Sequence, residues 1–155
     1  MKKPADLRAW LEAGVPHLKR NPENLHVYIE NGTVVSRIGG GLSFEYRYTL
    51  SLVVTDFSDH ADTLMIPLLA WIAGSQPDIL QNPEKQEQAI RMEAEILDHD
   101  KVDLDIKIDL TERVIVGKNL DGSYTATHPN EPALPDLSGP TGWTLYINGA
   151  PITTR

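Results

Sequence analysis

Apolar positions fall at helical spacing along the first twenty residues, where Leu7, Trp10, Leu11, Val15 and Leu18 form one stripe. Pro4 suits a first helical position and Asp6 the positive end of a helix, while Gly14 followed by Pro16 predicts a break before a short second turn ending near Lys19-Arg20, with one kinked continuous helix as the alternative. The period then drops to two. Leu25, Val27 and Ile29 alternate with His26, Tyr28 and Glu30; Asn31-Gly32 tolerates positive φ, and Thr33 to Ile38 returns, so this spacing predicts a β-hairpin. Gly39-Gly40-Gly41 reads as a hinge, since no Lys-Ser/Thr follows and a strand stands where a phosphate loop needs a helix. In the strand beyond it, Phe44, Tyr46, Tyr48, Leu50, Leu52 and Val54 share one face, with Glu45, Arg47, Thr49, Ser51 and Thr55 on the other. One face is therefore buried and the other is wet or lies against a partner.

The middle segment returns to the helical period. Ser58 or Asp59 is placed to cap a helix whose apolar residues (Leu64, Met65, Leu68, Leu69, Trp71, Ile72) cover most of its circumference, with Pro67 inside and Gly74 and Pro77 ending it. So apolar a helix predicts cover on both sides, and Asn82-Pro83-Glu84 predicts one more helical turn. Ile90, Met92, Ala94 and Ile96 then alternate with Arg91, Glu93 and Glu95. Asp98-His99-Asp100 is of metal or acid–base triplet type, against which stands its place as a solvated turn, and Val102 to Leu110 alternates with Asp103, Asp105, Lys107 and Asp109. Thr111 to Val116 reads as a further strand after a bend. This order predicts an α+β domain, a mainly antiparallel β-sheet packed against two or three helices, over residues 1–117. Residues 118–155 read as a proline-rich extended arm ending in a strand, Trp143 to Ile147, in which Trp143, Leu145 and Ile147 are the candidate contacts. Few residues follow Asn148-Gly149, so that strand is expected to pair with the body or with another chain.

Composition narrows the function classes. The chain has 155 residues and a formal net charge of -8, with no cysteine, so thiolate metal sites and disulfides are excluded. An excess of acid argues against free-standing or sequence-specific nucleic-acid binding, which rests on basic residues. The apolar run Met65 to Ala73 is too short to cross a bilayer, and Met1 to Asp6 lacks a signal peptide's apolar stretch, so a cytoplasmic protein is expected. Between Arg91 and Asp109 seven acids face three bases, which is half of the chain's net charge. In an isolated domain this is a solvated sheet surface; in an assembly it is a candidate channel-facing or interface surface made of Glu93, Glu95, Asp103, Asp105, Asp109 and Lys107. Asp56, Asp59, His60 and Asp62 are the densest group of metal-ligand types and define an alternative, a metal-dependent enzyme, against which stands the simpler role of capping a helix. A monomeric adaptor or binding module is the other alternative. No catalytic motif or cofactor site is recognised.

Three segments carry a family likeness: Leu42 to Leu50 with Thr55-Asp56-Phe57; Ile66 to Trp71 with Gln76 to Leu80; and Leu110 to Val116. In order and spacing the chain resembles, over about residues 1–117, the tail completion protein R family of P2-like contractile-tailed phages. The resemblance implies a tail-terminator-like α+β fold and a non-enzymatic structural virion protein, added late at the head-proximal end of the tail. It further implies a ring of copies of the chain (commonly a hexamer) in contact with tail tube or sheath and neck proteins. Its location would be the virion tail, and the host cytoplasm during assembly.

Overall fold

The break expected between the first two helices falls at Val15, whose extended backbone separates α1 (Lys3–Gly14) from α2 (Pro16–Arg20). The computed structural model describes residues 1–132 apart from 38 and 40, and 144–154 apart from 148. After a single 3-10 turn come β1 (Leu25–Ser36), β2 (Phe44–Phe57), α3 (Asp62–Ser75), α4 (Asp78–Gln81) and α5 (Pro83–Ala89). Then follow β3 (Ile90–Ile96), β4 (Val102–Lys118), β5 (Tyr124–Thr127), β6 (Thr144–Ile147) and β7 (Ala150–Thr154). The sheet is antiparallel with order β1-β2-β4-β3, and β5 pairs with the far end of β4. Helices lie on one face of it, which makes the α+β architecture expected from the alternating and helical periods.

The alternation of β2 and β4 decides the core. Leu50, Leu52 and Val54 stand opposite Ile108, Ile106 and Leu104. All six are buried with Leu7, Leu11, Leu64, Leu68 and Ile72 from the helices. Burying such side chains contributes roughly 1.5–3 kcal/mol each. Pro67 is buried within α3, and its carbonyl accepts the Trp10 indole N–H at 2.9 Å, which fastens α1 to α3. The helix is not covered all round, because Ile66 and Leu69 remain exposed. Its start also differs from expectation: α3 begins at Asp62 with no side-chain cap, and Asp59 instead meets Arg20 at 3.4 Å. Asn82 does cap, accepting the Glu84 N–H at 3.0 Å to start α5.

Three expectations for the strands are corrected as well. Asn31 takes the positive φ expected of it, 51°, but the chain does not turn back at Asn31-Gly32; residues 25–36 are one strand lying along β2, with a bulge between Glu30 and Thr33. A bulge and a tight turn draw on the same left-handed residue, and β2 is long enough to pair both halves. For the same reason Val102–Lys118 is a single 17-residue strand with no break at Thr111. Finally, β6 pairs with β7 across the turn that holds Gly149 at φ 79°, so four or five residues suffice for a hairpin where pairing with the body or another chain was expected. Trp143 lies outside the described residues.

Between its pairings with β3 and β5, β4 has no strand partner on that edge among the described residues, and a side chain takes the place of one. The buried Gln76 accepts the Thr111 N–H at 3.1 Å and the Lys3 ammonium at 2.7 Å, while Lys3 also donates to the Thr111 carbonyl at 2.7 Å. Replacing Gln76 by alanine leaves a buried donor unpaired, and an unmade buried hydrogen bond costs about 1–3 kcal/mol. The expected result is a lower urea midpoint at unchanged slope; a midpoint within error of wild type would contradict the assignment.

Candidate functional site

Alternation puts Glu93, Glu95, Asp103, Asp105, Lys107 and Asp109 on the sheet face opposite the helices, so the structure brings together all six charged residues expected to form one surface. The register sharpens the picture. Glu93 stands directly opposite Asp105, and Glu95 directly opposite Asp103. Like charges at opposed positions destabilise a strand pair, by a few tenths of a kcal/mol to about 1 kcal/mol. Nearer the sheet centre the charges are matched. The Arg91 guanidinium forks onto both oxygens of Asp109 at 3.0 Å, and Lys107 meets Glu30 of β1 at 3.0 Å. Arg91 holds the Asp109 carboxyl below the usual carboxylate range against the opposing effect of burial, with the Thr49 hydroxyl adding to it at 2.8 Å. Glu30 in turn raises the Lys107 ammonium above its ordinary value. Ser51 donates to Asp105 at 3.1 Å, and the Asp56 N–H to Asp103 at 2.8 Å. The face is thus braced in the middle and carries acid–acid pairs toward β3.

The other candidate group does not gather. Asp56 lies 3.8 Å from Lys101, Asp59 pairs with Arg20, and His60 with Asp62 at 3.3 Å. Among the described residues no three His, Asp or Glu side chains are grouped to hold a metal ion. Asp98-His99-Asp100 is a turn in which Asp98 accepts the Asp100 N–H at 2.9 Å. The strand that carries Leu145 and Ile147 is present, without strand partners in the main sheet.

One cluster escaped sequence reasoning. Glu112 is only 4% exposed and accepts the Tyr48 hydroxyl at 2.7 Å and the N–H groups of Lys2 and Lys3 at 2.6 and 3.1 Å. The buried His128 Nδ1 has no hydrogen-bond partner among the described residues and lies 3.9 Å from the same carboxylate, beside a cavity of about 120 Å³. Burial drives the Tyr48 hydroxyl far above its ordinary range, with the Glu112 charge adding to it, so it stays a donor. A glutamate within an alternating strand carries no local signal of such a role; only the pairing of β4 with β2 brings Tyr48 to it. The cluster anchors the start of α1 to the sheet and so has a structural account.

The polar face is therefore the surface left without a fold-level explanation. Comparison with known proteins agrees with the likeness carried by Leu42–Leu50 and Leu110–Val116. Tail completion protein R of Escherichia phage P2 is 39% identical over 150 residues, covering 96% of this chain and 95% of its own length. The family model of the P2 phage tail completion protein R (GpR) matches residues 1–132, beyond β5. No solved structure matches. With the match running through the sheet, the helices and the β4–β5 hairpin, the chain belongs to the P2 phage tail completion protein R family.

Proposed function

We propose that this protein is a non-enzymatic structural component of a phage tail, acting late in assembly as a ring subunit that completes the head-proximal end, with its acidic sheet face toward the channel. Family membership over residues 1–132 carries the assembly role. Its partners would be copies of itself, the tail tube or sheath, and neck proteins; its place is the virion tail, reached by assembly in the host cytoplasm. The channel placement is supported by the acid–acid pairs Glu93–Asp105 and Glu95–Asp103, since like charges at opposed positions work against a strand pair. Such a surface repels passing DNA and lets it slide without adhering. The arm beyond 117, with Trp143, Leu145 and Ile147, is proposed to add contacts within the particle.

Particles made without the protein test the first part: tails are expected that fail to join heads or lose length control, and normal joined tails would refute the role. Channel placement is tested separately by reversing the exposed Glu93 and Glu95 to lysine. Assembled particles with reduced DNA delivery are expected; unchanged infectivity would remove the acidic face from the channel while leaving tail completion intact.

A further inference from the structure

The two edges of the sheet are unlike each other, and both are unfinished. At one end β3 pairs, among the described residues, only with β4, and its helix-side residues reach past the helices: Met92 is 53% exposed and Ile96 81%, with Ala94 exposed between them. At the other end β1 pairs, among the described residues, only with β2, and Tyr28 and Ile29 are 55% and 41% exposed. Long edge strands with exposed apolar residues invite pairing with another chain.

Three features select the occupant. First, lengths match, since β3 has seven residues and β1 has six from Leu25 to Glu30 before its bulge. Second, direction matches. The strands β1, β2, β4 and β3 alternate in direction, so β3 runs opposite to β1. A copy rotated about an axis roughly parallel to the strands therefore presents its β3 antiparallel to β1, and the ladder continues unchanged. Third, charge favours unlike edges. Pairing β3 with its own copy about a twofold centred on Glu93 sets that carboxylate against itself, on a face that already carries two acid–acid pairs, whereas Leu25 to Glu30 holds a single acid, Glu30, which is already paired with Lys107.

We infer that copies of this chain join head to tail, the free edge of β3 in one pairing antiparallel with the free edge of β1 in the next, so that one sheet runs on through the assembly. This rests on the ring reading above and gives its interface. Contacts between two different surfaces generate rings when the rotation closes. A continued sheet keeps all helices on one side and all acidic faces on the other, so one geometric choice fixes both the contact and what lines the channel.

The experiment uses two full-length variants whose changes sit at exposed positions. M92K/I96K blocks the β3 edge, and Y28E/I29K blocks the β1 edge. Circular dichroism and thermal melting check that each folds, and sedimentation velocity with purified tails absent or present gives the oligomeric state. Each variant alone is expected to be monomeric where the wild type forms rings, and an equimolar mixture to form one-to-one dimers that go no further, because only one good β3 and one good β1 edge remain. Homodimers of Y28E/I29K alone would show β3 pairing with itself and overturn the inference. Rings from either variant would also overturn it while leaving the ring intact. A wild type that stays monomeric even with tails would instead overturn the ring, and this interface with it.

Discussion

Replacing Glu112 by alanine lowers the unfolding free energy by about 2–4 kcal/mol at neutral pH, the range set by hydrogen bonds to a buried charge and the groups left unpaired by its loss. The substitution strands the Tyr48 hydroxyl and the N–H groups of Lys2, just before α1, and Lys3, its first residue, in one step. Burial alone pushes the Glu112 carboxyl up, but the Tyr48 hydroxyl, the Lys2 and Lys3 N–H groups and the N-terminal charge outweigh it and hold the group below the ordinary carboxylate range. A carboxyl depressed in the folded state contributes stability that is complete above its unfolded value, about 4.3 for glutamate, and is lost as pH falls toward the depressed value. Glu112→Gln keeps the shape and removes the titration. Its deficit against wild type is expected to be largest near pH 7 and to shrink below about pH 4. Urea unfolding at several pH values measures this, and a deficit that stays constant down to pH 3 would show that Glu112 is not held ionised by these contacts.

That cluster marks where sequence reading stops. Alternation along β2 and β4 is a local property, so the buried and open faces, the grouping of Glu93, Glu95, Asp103, Asp105, Lys107 and Asp109, and the first two helices with their break at Val15 were legible, whereas α4 was not. Pairing is not local. Asn31-Gly32 specifies a left-handed residue but not whether the chain folds back or bulges, and the length of β2 made that choice. Gln76 standing in for a strand beside Thr111, and Tyr48 reaching Glu112, join residues 35 and 64 positions apart. The exposure of β3 follows from how far the helices extend over the sheet, which no residue of Ile90–Ile96 encodes.

Adjacent residues on β4 are expected to respond in opposite ways. Ile106 is fully buried between the sheet and helices, and its truncation to alanine costs about 2–5 kcal/mol through lost burial and the cavity left behind. Asp105, one position earlier, points to the open face, where it opposes Glu93 and accepts from the Ser51 hydroxyl at 3.1 Å. Asp105→Asn keeps an acceptor for Ser51 and removes one half of a like-charge pair, so stability should stay within about 0.5 kcal/mol of wild type or rise by a few tenths, more at low salt than at high. Parallel denaturant titrations of the two variants decide it. Marked destabilisation by Asp105→Asn would mean that the acidic row is built into the fold. Neutrality or a gain would mean that the row is carried against the interest of stability, as a surface shaped by what passes over it or docks against it should be.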